Sequence, residues 1–405
     1  MSDRQALEGI RVVELTVWFQ GPVTGQHLAD FGAEVIKVER PDGGDPGRGV
    51  QKLKSHPTGD WNQYFLVINR NKKSIVLDLK TEGGREIIYR LVEQSDVFLS
   101  NLSPARLAAW KLDYAHLRTL NPGLVYAMNT GYGPFGPVDR PSFDMTVQAL
   151  TGIMARRGEP HEPPVYIGMG AGDAFGGLLA ALGINIALHH RRKTGQGQML
   201  DASLYGAQLF LDAPALQAYL ATGAKHLARQ RSRKDALNPL HNTYQSRDDW
   251  IVLCAEAGQD AWSRLCTVLD DEKLAADERF STEKRRRENR AVLVSALDGI
   301  FCKHDAATWT ERCRKSGIAV SRVQNYRDLE KDPQAWANDY LMETYCEQVQ
   351  RDVAIRGFPI GLSKTPGVVR GLGPELGQDT ERILTELLGY SWDEVGRFKD
   401  AGAIP

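Results

Sequence analysis

The chain has 405 residues, of which 42% are hydrophobic and 25% charged, an ordinary composition for a globular protein. Because single cores stop growing near ~250–300 residues, we expect two domains. The formal net charge of −1 argues against a nucleic acid or an anionic membrane as the main partner. No apolar run approaches the ~20 residues of a membrane span, and the first residues lack the apolar segment of a secretory signal. The five cysteines form no C-x-x-C pair, so we expect a cytoplasmic protein with reduced thiols.

Strand and helix patterns alternate along the first two hundred residues. Apolar, β-branched runs predict strands at 9–15, 33–39, 72–79 and 95–102, with further strands inside 123–137 and at 199–204. Helical patterns at 21–32 and 82–94 lie between them. This alternation is typical of a parallel sheet covered by helices on both faces. The sequence therefore predicts an α/β protein with a Rossmann-like, doubly wound large domain.

The composition changes near residue 225, where "KHLARQRSRKDALNP" is basic and polar. We assign residues 1–224 to the large domain and residues 225–325 to a smaller α+β domain. Residues 326–405 are expected to return to the large domain, with strand and helix pieces that rejoin its sheet.

Several familiar motifs are absent. The first strand runs into "LTVWFQGPVTGQ", which lacks the G-x-G-x-x-G of a dinucleotide site, and the chain has neither a P-loop nor a G-x-S-x-G element. The nine histidines show no metal-ligand spacing. We therefore expect no metal and no prosthetic group.

Asp173 stands among glycines in "IGMGAGDAFGGLLAALGI" (167–184), just before an apolar helical run. Aspartate is a preferred helix N-cap, because its oxygen accepts hydrogen bonds from the first backbone N–H groups. The same spacing also suits a catalytic carboxylate whose glycine neighbours let a bulky substrate come close. The residues alone favour the cap and leave both interpretations open.

Separate stretches resemble the family III CoA-transferases, also called the CaiB/BaiF family, in collinear order over nearly the whole chain. They include "LEGIRVVELT" (7–16), "LADFGAEVIKVERPDGGDPGR" (28–48), "NRNKKSIVLDLKTEGGRE" (69–86), 131–152, 172–204 and "GFPIGLSKTP" (357–366). The resemblance implies ring-shaped subunits threaded through each other as a homodimer, with pairing to a related second subunit as the alternative. It implies coenzyme A as a substrate.

The family's nucleophile falls on Asp173, which the resemblance places in attack on an acyl-CoA thioester. With a reference pKa of ~3.9, this carboxyl group is expected to be ionised at neutral pH without a neighbouring base. The backbone N–H groups of Gly172 and Asp173 are the expected oxyanion donors. Asp144 lies where the family has an acidic residue beside the acyl site. It either orients Asp173 or is a buried structural carboxylate.

Coenzyme A needs cations for its phosphates. The family's CoA-contacting segments fall on Arg40, Leu77, Lys80, Asn101 and Leu102, although a solvated face is the alternative for Lys80 and for its neighbours Lys72 and Lys73. Phe19 and Gln20 lie in the loop that shapes the acyl pocket in the family. Where many members have an arginine this chain has Ala109, and Arg106 is the candidate replacement.

The predicted activity is transfer of CoA from an acyl-CoA, of the succinyl-CoA type, to a free carboxylic acid. Intramolecular CoA transfer within one diacid uses the same aspartate and stays open. A 2-methylacyl-CoA racemase is disfavoured, since Phe143 occupies the place of the histidine that such relatives use for proton transfer. A non-catalytic partner subunit is the alternative from another class.

Overall fold

The computed structural model describes residues 5–53, 59–138, 140–228 and 230–405. They form two compact units, the first comprising Met1–Ile153, Tyr166–Leu216 and Gln334–Pro405, and the second Met154–Val165 and Gln217–Pro333. These limits differ from the predicted boundaries at 225 and 325. Residues 154–165, assigned above to the large domain, belong to the second unit, where Gln230 Nε2 donates to the Arg157 carbonyl at 2.6 Å and the Arg233 amide to Glu159 Oε1 at 2.9 Å.

The first unit is built on a six-stranded sheet. Its strands are β1 (Arg11–Leu15), β2 (Glu34–Glu39), β3 (Lys73–Val76), β4 (Val97–Ser100), β5 (Val125–Met128) and β6 (Met199–Asp201). Their order is β3-β2-β1-β4-β5-β6 and every neighbouring pair is parallel. The predicted parallel α/β sheet is confirmed. Successive connections diverge between β1 and β4, and ligands of such sheets bind at the carboxyl edge near that point.

Helices cover both faces of this sheet. In chain order, the helices up to residue 222 are α1 (Gln20–Asp30), α2 (Gln63–Ile68), α3 (Glu82–Glu93), α4 (Pro104–Ala109), α5 (Tyr114–Leu120), α6 (Asp144–Leu150), α7 (Ala171–Thr194), α8 (Leu204–Leu211) and α9 (Ala213–Thr222). The last of them, α9, begins in the first unit and ends in the second. Side chains alternate along each strand. Val13 therefore joins the core under α3, while Val12 joins the core under α1 and α7.

Helix α7 carries Asp173 near its start. Its small buried residues Gly176, Gly177 and Ala180 let it approach α1 closely, because a Cβ on Gly177 would lie 2.9 Å from the Gln20 carbonyl. The helix is long and apolar enough to cross a membrane by length and composition, contrary to the expectation from the sequence. In the folded unit its glycine and alanine face is used instead for packing against α1.

The C-terminal strands do not rejoin the parallel sheet, so that prediction is wrong. Strands β10 (Leu341–Cys346) and β11 (Arg351–Arg356) pair only with each other, antiparallel. The chain after them does return to the first unit. The Ser74 amide donates to Asp379 Oδ2 at 2.9 Å, and the Asp78 amide to the Ala403 carbonyl at 2.8 Å. Helix α16 (Pro333–Ala337) precedes β10, while α17 (Thr380–Arg382), a π-helical turn Ile383–Leu387 and α18 (Trp392–Asp400) follow β11.

The second unit has a three-stranded antiparallel sheet in the order β7-β8-β9, formed by β7 (His241–Gln245), β8 (Trp250–Cys254) and β9 (Ala319–Arg322). Its helices are α10 (Gln259–Leu269), α11 (Glu272–Ala275), α12 (Glu283–Glu288), α13 (Arg290–Phe301), α14 (Ala306–Lys315) and α15 (Tyr326–Leu329). Trp262, Phe301 and Trp309 fill the core between sheet and helices.

Candidate active site

A cavity of about 560 Å³ opens at the carboxyl edge of the parallel sheet. Its walls come from the segments that follow β1 to β4, where α/β proteins of this topology bind ligands. Five residues predicted to bind CoA line it: Arg40, Leu77, Lys80, Leu102 and Arg106. Phe19, Gln20 and Asn101 do not.

Three cationic side chains share this cavity. Arg40, Lys80 and Arg106 are all exposed, and Arg40 Nε donates to the Gly44 carbonyl at 3.0 Å. Arg106 lies on α4 three residues before Ala109, and the fold turns it toward the same cavity as the other two cations. The cavity therefore offers separate positive charges to an anionic ligand.

Asn101 has a different position from the one predicted. Its Oδ1 accepts from the Val17 amide at 2.9 Å and its Nδ2 donates to the Val17 carbonyl at 2.7 Å, so the side chain holds the backbone after β1.

Lys72 and Lys73 differ in their exposure to solvent. Lys72 is buried 2.8 Å from Glu14, whereas the side chain of Lys73 is 37% exposed and pairs with Glu34 at 2.5 Å, so Lys73 is a partly solvated lysine in a surface ion pair. Neither lines the cavity that Arg40 and Lys80 share.

A larger cavity, about 910 Å³, lies elsewhere in the first unit, between α2, β10 and residues 369–382. Lys72 and Lys73 line it, but Arg40, Leu77, Lys80, Leu102, Arg106 and the predicted catalytic residues do not. We therefore place the candidate site at the smaller cavity, where the topology and the cations coincide.

The loop Thr16–Phe19 separates this cavity from the start of α7. Trp18 lines the cavity and is 41% exposed, whereas the Phe19 ring lies 3.7 Å from where a Cβ on Gly170 would stand. Gln20 follows as the first residue of α1, is buried, and donates through Nε2 to the Ala202 carbonyl at 3.0 Å. Phe19 and Gln20 thus border the start of α7 rather than the cation-lined cavity.

Asp173 is the third residue of α7 and does not cap it. The N-cap is Gly170, whose φ of 74° lies in the left-handed region that glycine tolerates, and no side chain of the cap residue bonds to the helix. Asp173 lies outside the lining of the CoA cavity, on the far side of the loop Thr16–Phe19. The interpretation of its carboxylate as the N-cap is wrong.

The missing cap is supplied by Asp144, the first residue of α6. Asp144 Oδ2 accepts from the Gly170 amide at 2.8 Å and from Gln148 Nε2 at 2.9 Å, while Oδ1 accepts from Gln208 Nε2 at 2.8 Å. A negative group is stabilised at a helix N-terminus by the orphan N–H groups and the helix dipole. Asp144 is buried, and while Gln148 lies on its own helix, Gly170 and Gln208 belong to α7 and α8.

The lack of a side chain at Gly172 lets the side chains of Asp144 and Gln208 come close to the first turn of α7. A Cβ there would lie 2.3 Å from Asp144 Oδ1 and 2.1 Å from Gln208 Nε2, so only glycine admits both side chains. The Gly172 and Asp173 amides lie near the Asp144 carboxylate and act to lower its pKa. Their use as oxyanion donors stays a prediction.

Burial, and then the charge of Asp144, raises the pKa of Asp173 to about 7. Asp173 is therefore harder to ionise near neutral pH than the unperturbed carboxylate expected from the sequence. Burial also raises the pKa of Asp144, although hydrogen bonds from Gln148 and from the Gly170, Gly172 and Asp173 amides oppose that shift.

Tyr64 borders the same place. Its ring lies 5.8 Å from that of Phe19, and burial together with the charges of Asp45 and Asp173 raises its pKa.

Sequence reasoning missed Tyr64, Gln148 and Gln208. These three side chains come from α2, α6 and α8, and no local pattern joins them to Asp173. One available signal was Gly172, since a glycine beside a nucleophile indicates that something approaches closely.

Comparison with known proteins gives a consistent result. Residues 7–380 match the family model described as CoA-transferase family III. The chain is 35% identical to the succinyl-CoA–D-citramalate CoA-transferase of Chloroflexus aurantiacus, over 96% of both chains. It is 33% identical to the succinate–glutarate CoA-transferase of Agrobacterium fabrum, over 94% of this chain and 95% of that one.

The fold agrees with a solved relative. The crystal structure of a CAIB/BAIF family protein from Brucella suis matches with a TM-score of 0.83 and 31% identity, over 95% of this chain and 100% of that chain. With the parallel sheet, the cation-lined cavity and the matched sequence in agreement, the chain belongs to CoA-transferase family III and is a CoA-transferase.

Proposed function

We propose that this enzyme transfers CoA from succinyl-CoA to a free carboxylic acid through covalent intermediates on Asp173. The observation that carries the proposal is a carboxyl group at the start of α7, set among glycines, with Phe19 of the loop that lines the cation-rich cavity lying against the N-cap Gly170 of that helix. A carboxylate is a sufficient nucleophile toward a thioester, because it needs no base once it is ionised.

The first half of the reaction charges Asp173. Its carboxylate oxygen attacks the thioester carbonyl carbon, the C–S bond breaks, and an acyl-aspartyl anhydride and a CoA thiolate form. The thiolate then attacks the aspartyl carbonyl carbon, which releases the donor acid as a carboxylate and leaves an aspartyl-CoA thioester.

In the second half of the reaction the new acid takes the place of the donor acid, and the same kinds of bond form and break in the reverse order. The acceptor carboxylate attacks the aspartyl-CoA thioester, which expels the thiolate and forms a second anhydride. Thiolate attack on the acceptor's acyl carbon releases the new acyl-CoA and the Asp173 carboxylate. Every step exchanges one activated acyl bond for another, so no external energy source is consumed.

In this proposal Asp144 is a positioning residue. It caps α7 from outside the helix and thereby fixes the first turn that carries Asp173, while its charge holds the nucleophile's pKa near the working pH. A nucleophile with a raised pKa is also a more reactive carboxylate once ionised.

The roles at the CoA cavity follow from charge. Arg40, Lys80 and Arg106 are proposed to hold the phosphates, with the forked guanidinium groups suited to two oxygens at once. The apolar side chains of Leu77 and Leu102 in the same cavity are proposed to contact the adenine.

The donor and acceptor rest on the relatives. One is named for transfer from succinyl-CoA and the other for exchange between succinate and glutarate, which supports succinyl-CoA as the donor here. We propose a carboxylic acid acceptor without narrowing it to one acid, since the two named acceptors differ.

The decisive experiment is covalent trapping. Incubation with succinyl-CoA followed by hydroxylamine should convert Asp173 to its hydroxamate, which peptide mass spectrometry locates, and Asp173→Asn should remove the mark. A label on a serine or cysteine, or none with any acyl-CoA, would contradict the mechanism; the latter result would favour a non-catalytic subunit.

A second measurement separates the isomerase and racemase alternatives. In deuterated water a chiral 2-methylacyl-CoA should gain no deuterium at the α-carbon while CoA moves to an added acid. Exchange at that carbon would support the racemase. Transfer only within one diacid, with no product from an added acid, would support the intramolecular reaction.

We also propose that the enzyme is an interlocked homodimer. The family resemblance supports this, as does an exposed apolar surface on α7 and α8, where Leu182, Ile186 and Phe210 are 56%, 61% and 66% exposed. Light scattering should give twice the 45.0 kDa chain mass. Mixed tagged and untagged dimers should not exchange subunits without unfolding, because threaded rings cannot separate; rapid exchange would contradict interlocking.

A further inference from the structure

Four charged side chains lie buried under the loop Thr16–Phe19. Lys37 Nζ is 3.2 Å from Glu14 and 3.0 Å from Asp45, and Lys72 Nζ is 2.8 Å from Glu14. The side chains of Lys37, Glu14 and Lys72 have no exposed surface, and that of Asp45 is 1% exposed. The cluster Glu14–Lys37–Asp45–Lys72 therefore balances two carboxylates with two ammonium groups away from water.

Both lysines keep their charge in this setting. Burial acts to lower the pKa of Lys37, but the surrounding carboxylates of Asp45, Glu14 and Glu39 together raise it. Burial lowers the pKa of Lys72 to about 8 against the opposing charge of Glu14.

The cluster holds the backbone on both sides of the loop. Lys37 Nζ donates to the Thr16 carbonyl at 2.9 Å, Asp45 Oδ1 accepts from the Trp18 amide at 3.1 Å, and Lys72 Nζ donates to the Pro22 carbonyl at 2.8 Å. With Asn101 on Val17, consecutive residues of this segment are held by side chains from other elements. Hydrogen bonds from side chains of other elements thus hold the backbone of this loop in place.

The loop needs such support because it is strained. Trp18 has a φ of 67°, in the left-handed region that a bulky side chain rarely adopts. Strained residues of this kind persist only where the surroundings over-determine them, and they cluster at functional sites. Here the strained residue lines the CoA cavity and its neighbour Phe19 lies against the helix turn that carries Asp173.

Stability alone does not account for the cluster. Buried ion pairs often give no net stabilisation over apolar side chains of the same volume, because taking charges out of water opposes their attraction. The chain also keeps a glycine inside α1 to make room: a Cβ on Gly25 would lie 1.7 Å from Glu14 Oε2. Glycine in a helix interior is itself unfavourable.

We infer that the cluster Glu14–Lys37–Asp45–Lys72 is a positioning device for the transfer reaction: through Lys37 and Asp45 it fixes the strained loop that sets Trp18 in the CoA cavity and Phe19 against the nucleophile helix. Asp45 and Lys37 are positioning residues that act through this loop. The inference rests on the proposed function of Asp173, whose own test is the trapping experiment above.

The central variant is Asp45→Asn. An amide keeps the shape, but it cannot accept from the Trp18 amide with its oxygen and also face Lys37 with an acceptor on its other side. We expect the single-turnover rate of CoA release from succinyl-CoA to fall about 10- to 100-fold, since small misplacements of reacting groups have effects of that size. The dissociation constant of free CoA should rise by a smaller factor than the rate falls, because Trp18 shifts in the cavity while Arg40, Lys80 and Arg106 are untouched.

Asp30→Asn is the matched control. Asp30 forms another fully buried ion pair of the same unit, 2.7 Å from Arg70, and neither residue contacts the loop Thr16–Phe19 in any hydrogen bond or ion pair that the structure records among its described residues. It should lower the melting temperature to a similar extent and leave the CoA-release rate at the wild-type value. An equal slowing in both variants would reduce the cluster to a general stability element and overturn the inference.

A double variant provides the second test. The amide is relieved of Lys37 in Lys37→Met/Asp45→Asn and can again accept from the Trp18 amide, although the Thr16 carbonyl loses its Lys37 donor, so the CoA-release rate should be at least that of Asp45→Asn rather than the product of the two single losses. A rate below that of Asp45→Asn would contradict the inference.

The wild-type enzyme supplies a readout that no substitution can compromise. Amide hydrogen exchange of the peptide containing Val17 and Trp18 should be as slow as that of β1; exchange as fast as in exposed loops would contradict a fixed loop. A wild-type enzyme that never acylates Asp173 would instead refute the proposed function.

Discussion

The two units use charged residues in opposite ways. In the first unit, ion pairs such as Arg70–Asp30 and Lys37–Asp45 are almost fully buried beneath loops and helix ends. In the second, Arg286 is buried, but many ion pairs lie on helix surfaces: the side chains of Lys284 and Glu288 are 85% and 59% exposed, and those of Arg287 and Glu283 are 57% and 48% exposed.

The difference teaches where charge carries function in this protein. A solvated pair gains little, because water screens it and the side chains lose freedom when they pair. A buried charge is unfavourable unless polar partners are held beside it. A buried network whose members are all paired therefore makes the positions of those side chains rigid. Asp173 and Asp144, two carboxylates at one helix start, are the most extreme case in the first unit, and the predictions that follow start from them.

The largest expected effect is that of Asp173→Asn on activity. Removal of the nucleophile should lower kcat for CoA transfer by at least about a thousandfold, the scale seen when a covalent catalyst is deleted. Steady-state transfer from succinyl-CoA to a panel of acids measures this. Retention of a tenth of the activity would mean that another group attacks the thioester.

The same substitution should make the protein more stable at high pH. Between the ordinary pKa of ~3.9 and about 7, folded Asp173 binds a proton that the unfolded chain releases, so wild-type stability falls as pH rises through this window, by up to about 4 kcal/mol. Asparagine does not titrate. Thermal unfolding at pH 4 to 8 should therefore show a growing advantage of Asp173→Asn toward pH 8; a constant difference would show that Asp173 is unperturbed.

Arg40→Ala should weaken CoA binding by roughly 1.5–3 kcal/mol, the scale of hydrogen bonds to charged groups. Isothermal titration with CoA and with dephospho-CoA measures it, and the variant should no longer distinguish the two if Arg40 meets the 3′-phosphate. Arg118→Ala is the control, since Arg118 lies on α5 outside the cavity lining. Equal affinities of wild type and Arg40→Ala for CoA would mean that Arg40 is a solvated surface residue that does not contact CoA.

Asp144→Asn tests the pair of carboxylates directly. Loss of the Asp144 charge removes a cause of the raised pKa of Asp173, so the midpoint of CoA-release rate against pH should move below about 7. At pH 6 the variant should retain a larger fraction of its own plateau rate than the wild type does. A midpoint that stays in place would assign the raised pKa to burial alone.

The smallest effect is expected in the second unit. Lys284→Ala breaks a 3.9 Å surface pair with Glu288 and should leave both melting temperature and transfer rate unchanged within error. A loss of activity there would break the contrast between the two units.

Much of this protein is readable from its residues. Short β-branched runs predict the strands of the parallel sheet. Arg40, Lys80 and Arg106, the cations proposed to bind CoA, line one cavity because the carboxyl ends of parallel strands share one edge of the sheet. Asp173 stood out by its glycines and its family resemblance. Domain limits were less accessible, since residues 154–165 join the second unit through contacts with residues far along the chain.

The tertiary structure alone decided how the carboxylates are used. Local preference gives an aspartate before a helix the role of cap, yet a side chain from α6 takes that role, and Asp173 is left half-buried beside a second carboxylate. The residues around Lys37 and Lys72 do not indicate that either lysine is buried. Only the folded structure places both ammonium groups beside Glu14, out of contact with solvent. Periodicity fixes which residues face a core, because it follows from backbone geometry. Burial, charge pairing and pKa depend on neighbours distant in the chain, and these exist only once the chain has folded.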